Sequence, residues 1–345
     1  MAEAVAGGPG NAGGMTTTVE AATSVRRRWA LAYQRNGWWL LLLWAVAYGL
    51  LRASQAIHGE PYVAPLGTDL VVGGWLPTVL CAVAAILAPM LRTPRGPKPL
   101  RVAAVAVAWT VTTALAAEAA LFLLDLVSVV LPGIGLTVEP AALATRLACE
   151  AGAVLLAGTT LVYQRQQRSA CLTCGRTDRP RPPWMLKVAT FAGYAAIAGC
   201  LLRLVAQYAV GTNGIPLAVV GMTPQALGFE AGFLLAGVVL PLALVRPWGR
   251  RFPRWVTGLA GRRVPRWLLL GPAFVISLGM TAYFGVTFAE LAFQSAAGTF
   301  DAGPFGLAFF WVAVPAYLLW GIGLGLAALG FWSRTRPICR QCDRF

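Results

Sequence analysis

Four of the seven cysteines fall into two C-x-x-C pairs, Cys171-Leu-Thr-Cys174 and Cys339-Arg-Gln-Cys342. A pair at this spacing turns two thiolates toward one point, and two pairs supply the four thiolates of a closed tetrahedral zinc site. Gly175 follows the first pair directly, where zinc-knuckle turns use a small residue. The pairs stand 168 residues apart, much farther than in a zinc ribbon, so a shared metal requires the fold to unite two distant segments. Arg168, Arg176, Arg336 and Arg340 flank them, and their charge is expected to lower the thiol pKa. Three chemistries stay open: a composite zinc clasp, a reducible dithiol or redox sensor, and unligated or intersubunit cysteines. Cys81, Cys149 and Cys200 lie inside apolar segments, where a free thiol behaves as a small hydrophobe.

A second set of residues is notable for where it stands. Arg52 and Arg203 interrupt apolar stretches, followed one turn later by Gln55 and Gln207. Asp125 and Glu290 stand late in two other apolar stretches, and Glu118, Arg146, Glu150 and Glu230 lie at comparable depth. Ionisable groups inside a membrane span are costly and mark functional candidates. The expected pairs are Arg52 with Asp125, Arg203 with Glu290, and Arg146 with Glu150 at i, i+4. Together the ten residues predict a polar cavity opening on the outer side. The competing reading has them lock helices together or reach to the interface.

The elements that must position these residues follow from composition. Of 345 residues, 58% are hydrophobic and 12% charged, with 28 Lys+Arg against 13 Asp+Glu and a net charge of +15. The charged share is about half that of a soluble domain, which excludes a water-soluble globule. Eight apolar segments approach the ~20 residues a helix needs to cross the bilayer: 37–56, 72–91, 102–127, 143–163, 186–208, 227–246, 267–291 and 305–332. The fold class is therefore all-α, a polytopic membrane bundle of about eight transmembrane helices. Residues 1–24 lack a basic n-region and read as a disordered tail.

Charge then orients the bundle. Arginines and lysines crowd every second loop, around Arg26–Arg28, Arg92–Arg101, Arg165–Lys187, Arg246–Arg266 and the C-terminal tail. The alternate loops carry only Glu60, Asp69, Glu139 and Asp301 in their centres. By the positive-inside rule both termini are cytoplasmic, in a multi-pass inner-membrane protein. A nucleic-acid surface would gather the arginines on a folded domain with interleaved aromatics, and here they are dispersed, so no nucleic-acid partner is expected.

The halves resemble one another. Tyr48-Gly-Leu-Leu-Arg52 answers to Gly199-Cys-Leu-Leu-Arg203, Leu91-Arg92 to Val245-Arg246, Pro99-Leu-Arg101 to Pro265-Arg-Trp267, and one cysteine pair to the other. These correspondences, in one order, predict two tandem parallel four-helix repeats, 25–180 and 181–345, each ending in C-x-x-C. The outer segments 57–71 and 209–226 match as well and are candidates to fold partly into the membrane. His58 is the only histidine, and no phosphate loop, nucleophile elbow or H-E-x-x-H is present. Three functions fit: binding or moving a small solute through the outward cavity, with a zinc clasp; a non-transporting sensor or assembly component that meets a protein partner; and a thiol-based membrane redox enzyme.

Overall fold

The computed structural model describes residues 12–58, 74–130, 140–171, 174–176, 184–210, 224–252, 254, 258, 260–336, 339 and 342. The expected outer segments lie mostly outside them, as do residues 1–11 of the N-terminal tail, Arg179, Arg181, Arg340 and Arg344. Among the described residues the regular structure is helical, apart from one isolated bridge between Arg251 and Arg263. The helices are α1 (Ala12–His58), α2 (Leu76–Met90), α3 (Lys98–Glu118), α4 (Phe122–Val130), α5 (Pro140–Gln167) and α6 (Trp184–Val210). They are followed by α7 (Pro224–Leu234), α8 (Leu240–Val245), α9 (Arg266–Ala297) and α10 (Leu307–Thr335). α1 thus reaches back into the segment read as a tail.

Among the described residues six helices are long and apolar enough to cross a membrane: Arg35–His58, Lys98–Glu118, Pro140–Gln167, Trp184–Ala209, Arg266–Ala297 and Leu307–Thr335. Two further apolar helices, Leu76–Met90 and Glu230–Val245, are shorter. The 15 residues of α2 reach about 22 Å, less than the ~30 Å hydrocarbon core. Apolar side chains such as Leu50, Phe191 and Phe293 stand exposed around the bundle, as helices facing lipid require.

Two stretches depart from regular α-helix. The third apolar segment, expected as one helix over 102–127, divides into α3 and α4 around a turn at 119–121. There the ladder tightens to i−3 bonds, Ala120 N to Ala117 O at 3.0 Å and Phe122 N to Ala119 O at 2.9 Å. Tightening of this kind keeps backbone groups bonded where no water can replace a partner. In the sixth segment a π-helical turn, Leu235–Val239, joins α7 to α8. Pro241 has no N–H to give the Gly237 carbonyl, and the wider turn absorbs that loss.

Packing falls into two groups with the same pattern. In the first half α1 packs on α2 and α5, and α3 on α2 and α5; in the second, α6 packs on α8 and α10, and α9 on α8 and α10. Each has its own core, one around Leu41, Leu87, Leu115 and Leu156, the other around Leu244, Leu270, Trp320 and Leu324. The halves meet where α3 and α4 touch α9, with Leu123 against Gly279.

α10 approaches its neighbours closely through small residues, with Gly323 against α6 and with Gly321 and Gly325 against α9. A Cβ on Gly323 would stand 2.6 Å from the Ala192 carbonyl oxygen and 2.9 Å from the Ala196 nitrogen, both backbone atoms. Gly323→Leu is therefore expected to force the helices apart, at a cost of about 1–3 kcal/mol or more. A lowered thermal midpoint in detergent checks this; an unchanged midpoint contradicts the packing.

Candidate functional site

The two C-x-x-C pairs meet. The Sγ atoms of Cys171, Cys174, Cys339 and Cys342 all lie within 4.8 Å of one another, with Cys171 to Cys339 at 3.9 Å and Cys174 to Cys342 at 3.6 Å. Four sulfurs placed tetrahedrally about 2.3 Å from an ion stand about 3.8 Å apart, so the group is at metal-holding distance. Both close pairs join one half of the chain to the other.

The turns that aim the sulfurs are built locally. α5 ends at Gln167, and the chain doubles back so that the Cys171 amide bonds the Arg176 carbonyl at 3.0 Å and the Gly175 amide bonds the Cys171 carbonyl at 2.6 Å. Gly175 sits at φ +70°, a left-handed conformation that side chains avoid. The second pair follows α10, with the Cys342 amide on the Cys339 carbonyl at 3.3 Å. Arg336 reaches across to donate to the Cys174 carbonyl at 3.0 Å, while its guanidinium stacks 3.6 Å from the Trp332 ring. Arg176 returns the link by donating to the Arg336 carbonyl at 3.5 Å.

These arginines brace the backbone across the halves. The expectation that they lower the thiol pKa does not hold at Cys174. Burial, with hydrogen bonds to Cys171, Cys342 and Cys339, pushes that thiol up to about 12. Four thiols crowded together resist ionisation, and a cation among them relieves that cost. The donor set thus fits a metal ion.

Toward the other end of the helices stand two arginine-centred clusters, one in each half. In the first, Arg146 is 1% exposed and Asp125 5%. Arg146 Nη1 lies 2.6 Å from both carboxylate oxygens of Asp125. The remaining nitrogens, Nε and Nη2, are buried and have no hydrogen-bond partner among the described residues. They form one edge of the guanidinium, two parallel N–H donors of the kind that match a carboxylate or phosphate. Nearby, Arg52 Nη1 donates to Gln55 Oε1 at 3.2 Å, and the Arg52 charge acts on Glu118. The Cys149 thiol lies 3.7 Å from Glu118 Oε2 and 3.2 Å from the Tyr48 hydroxyl.

In the second cluster Arg203 donates from Nε to the Tyr317 hydroxyl. Its Nη1 stands 3.7 Å from Glu230 Oε1, and its guanidinium lies 4.4 Å from the Phe233 ring centre. Phe284 stacks on Tyr317 at 4.0 Å, so the charge rests in an aromatic surround.

The expected pairings are corrected accordingly. Asp125 pairs with Arg146 and not with Arg52, because the break after Glu118 starts a new helix that packs on α5. Arg146 thus engages Asp125 on α4, and Glu150 is half-buried one turn further on. The carboxylate nearest Arg203 is Glu230, while Glu290 is exposed and accepts from Gln294 on its own helix at 2.9 Å. Gln207 is half-buried one turn beyond Arg203. Tyr48, Phe233 and Tyr317 carry no sequence signal: a tyrosine or phenylalanine within a span looks the same whether it faces lipid or a guanidinium.

Among the described residues, six helices long and apolar enough to span a membrane and a four-cysteine cluster at metal-holding distance are consistent with a helical, multi-pass membrane protein carrying a potential metal centre. No family model, curated protein or solved structure matches the chain.

Proposed function

We propose that this is an inner-membrane protein that binds a small anionic solute from the outer side, its two halves clasped on the cytoplasmic side by a structural zinc ion. The observation that carries the solute reading is the free edge of Arg146, two buried donors beside a satisfied Asp125. Leaving such donors without a partner costs about 1–3 kcal/mol or more, and an oxyanion such as a carboxylate or phosphate removes that cost. Zinc is the metal that a closed four-thiolate site favours. Eight spans in two tandem four-helix repeats are supported by the matching helix contacts within each half. The meeting of α3 with α9, equivalent helices in that scheme, supports it further. The basic loops support cytoplasmic termini.

The solute reading is tested by thermal shift on purified protein with acetate, succinate and inorganic phosphate. A ligand at a hundred times its Kd stabilises the folded state by about 2.7 kcal/mol. Arg146→Lys keeps a cation for Asp125 but lacks the forked edge, and is expected to fold while losing the shift. No shift with any of the three anions, or a shift retained in Arg146→Lys, rejects this reading.

A second reading, a non-transporting sensor or assembly component, is favoured by the engagement of Arg146 and Arg203 with residues of the chain itself. Uptake by proteoliposomes separates it from transport. Thiol titration under reducing and oxidising conditions tests a redox role for the cysteines.

A further inference from the structure

A cleft of about 500 Å³ opens between the start of α6 and the end of α10, beside the cysteine cluster. Its walls include Trp184, Leu186 and Leu329, all exposed, and its end carries Trp332, Arg334 and Arg336. In a membrane, exposed apolar walls of this kind face acyl chains, and tryptophans mark the headgroup level. Arg334 makes no ion pair among the described residues; its Nε reaches the Gly330 carbonyl at 3.4 Å and its Nη2 is buried without a partner. Arg250 is close enough to act on it electrostatically, which concentrates positive charge at this end of the cleft.

We propose that this cleft binds an anionic phospholipid, its phosphate on Arg334 and an acyl chain along the apolar wall. The wall selects lipid over a free phosphate ion, which needs no apolar surface, and the arginines select an anionic headgroup over a zwitterionic one. Basic pockets between membrane helices are suited to such headgroups. The site is independent of the solute reading: it lies on the face of the cysteines and uses none of the intramembrane clusters.

The test is native mass spectrometry of the full chain from micelles holding phosphatidylglycerol and phosphatidylcholine in equal amounts. The wild type is expected to retain phosphatidylglycerol preferentially. Arg334→Ala is expected to lower that retention about fivefold, the effect of one arginine near a charged headgroup. Leu329→Trp, which fills the cleft and leaves every arginine in place, should lower it comparably. Equal retention of the two lipids, or undiminished phosphatidylglycerol in Leu329→Trp, overturns the proposal. Undiminished phosphatidylglycerol in a folded Arg334→Ala overturns it as well.

Discussion

Changing Cys339 and Cys342 together to serine should reduce bound zinc from about one ion per chain to none, since two thiolates cannot close a four-coordinate site. Because Cys171–Cys339 and Cys174–Cys342 both cross between the halves, the loss is also a loss of connection. A cross-link closing a loop of this length stabilises by at most about 5 kcal/mol, most of it by restricting the unfolded chain. For a chain of this size that corresponds to a fall in thermal midpoint of at most roughly 7 °C. A strong chelator should reproduce the fall in the wild type and have no effect on the variant. Metal analysis alongside the melting curve decides the matter: wild-type protein without metal, or a variant that keeps it, removes the clasp.

The second large effect is expected at Asp125 and Arg146. Both are almost wholly buried, so removing one strands the other as an uncompensated charge. Asp125→Ala and Arg146→Ala are each expected to cost about 3–5 kcal/mol, seen as lower thermal stability and poor accumulation in the membrane. The double variant Asp125→Leu with Arg146→Met leaves no stranded charge and should recover most of that stability, since apolar replacements of buried pairs are often neutral or better. It should nevertheless show no shift with acetate, succinate or phosphate, because the forked donor edge is gone. Recovery of stability with the anion response intact would place the solute elsewhere; failure to recover would show that the pair has partners beyond those seen.

Much of the architecture is legible in the residues. The apolar stretches read as helices because a backbone in lipid must satisfy its own hydrogen bonds, and that holds whatever the neighbouring helices do. Cys171, Cys174, Cys339 and Cys342 can be chosen as a ligand set because the pair spacing is itself a local geometry. Expectation and structure part where neighbours decide. Glu290 looks like the partner of Arg203 by position along the chain, but its side chain faces outward, and Glu230 comes nearest from α7. Asp125 looks aligned with Arg52 on one continuous helix, and the turn at 119–121, which no proline or glycine signals, redirects it to Arg146. The shortness of α2 is likewise hidden, since apolar composition continues past the helix ends.

Hydrophobic composition was enough by itself to point to a helical chain with several candidate membrane spans, because transfer to lipid is a property of single segments. Tertiary structure alone decided the meeting of two cysteine pairs 168 residues apart, the choice of carboxylate for each arginine, and the donor edge that Arg146 leaves open. Those outcomes depend on how helices rotate and pack against one another, and packing is set jointly by residues that no local pattern connects.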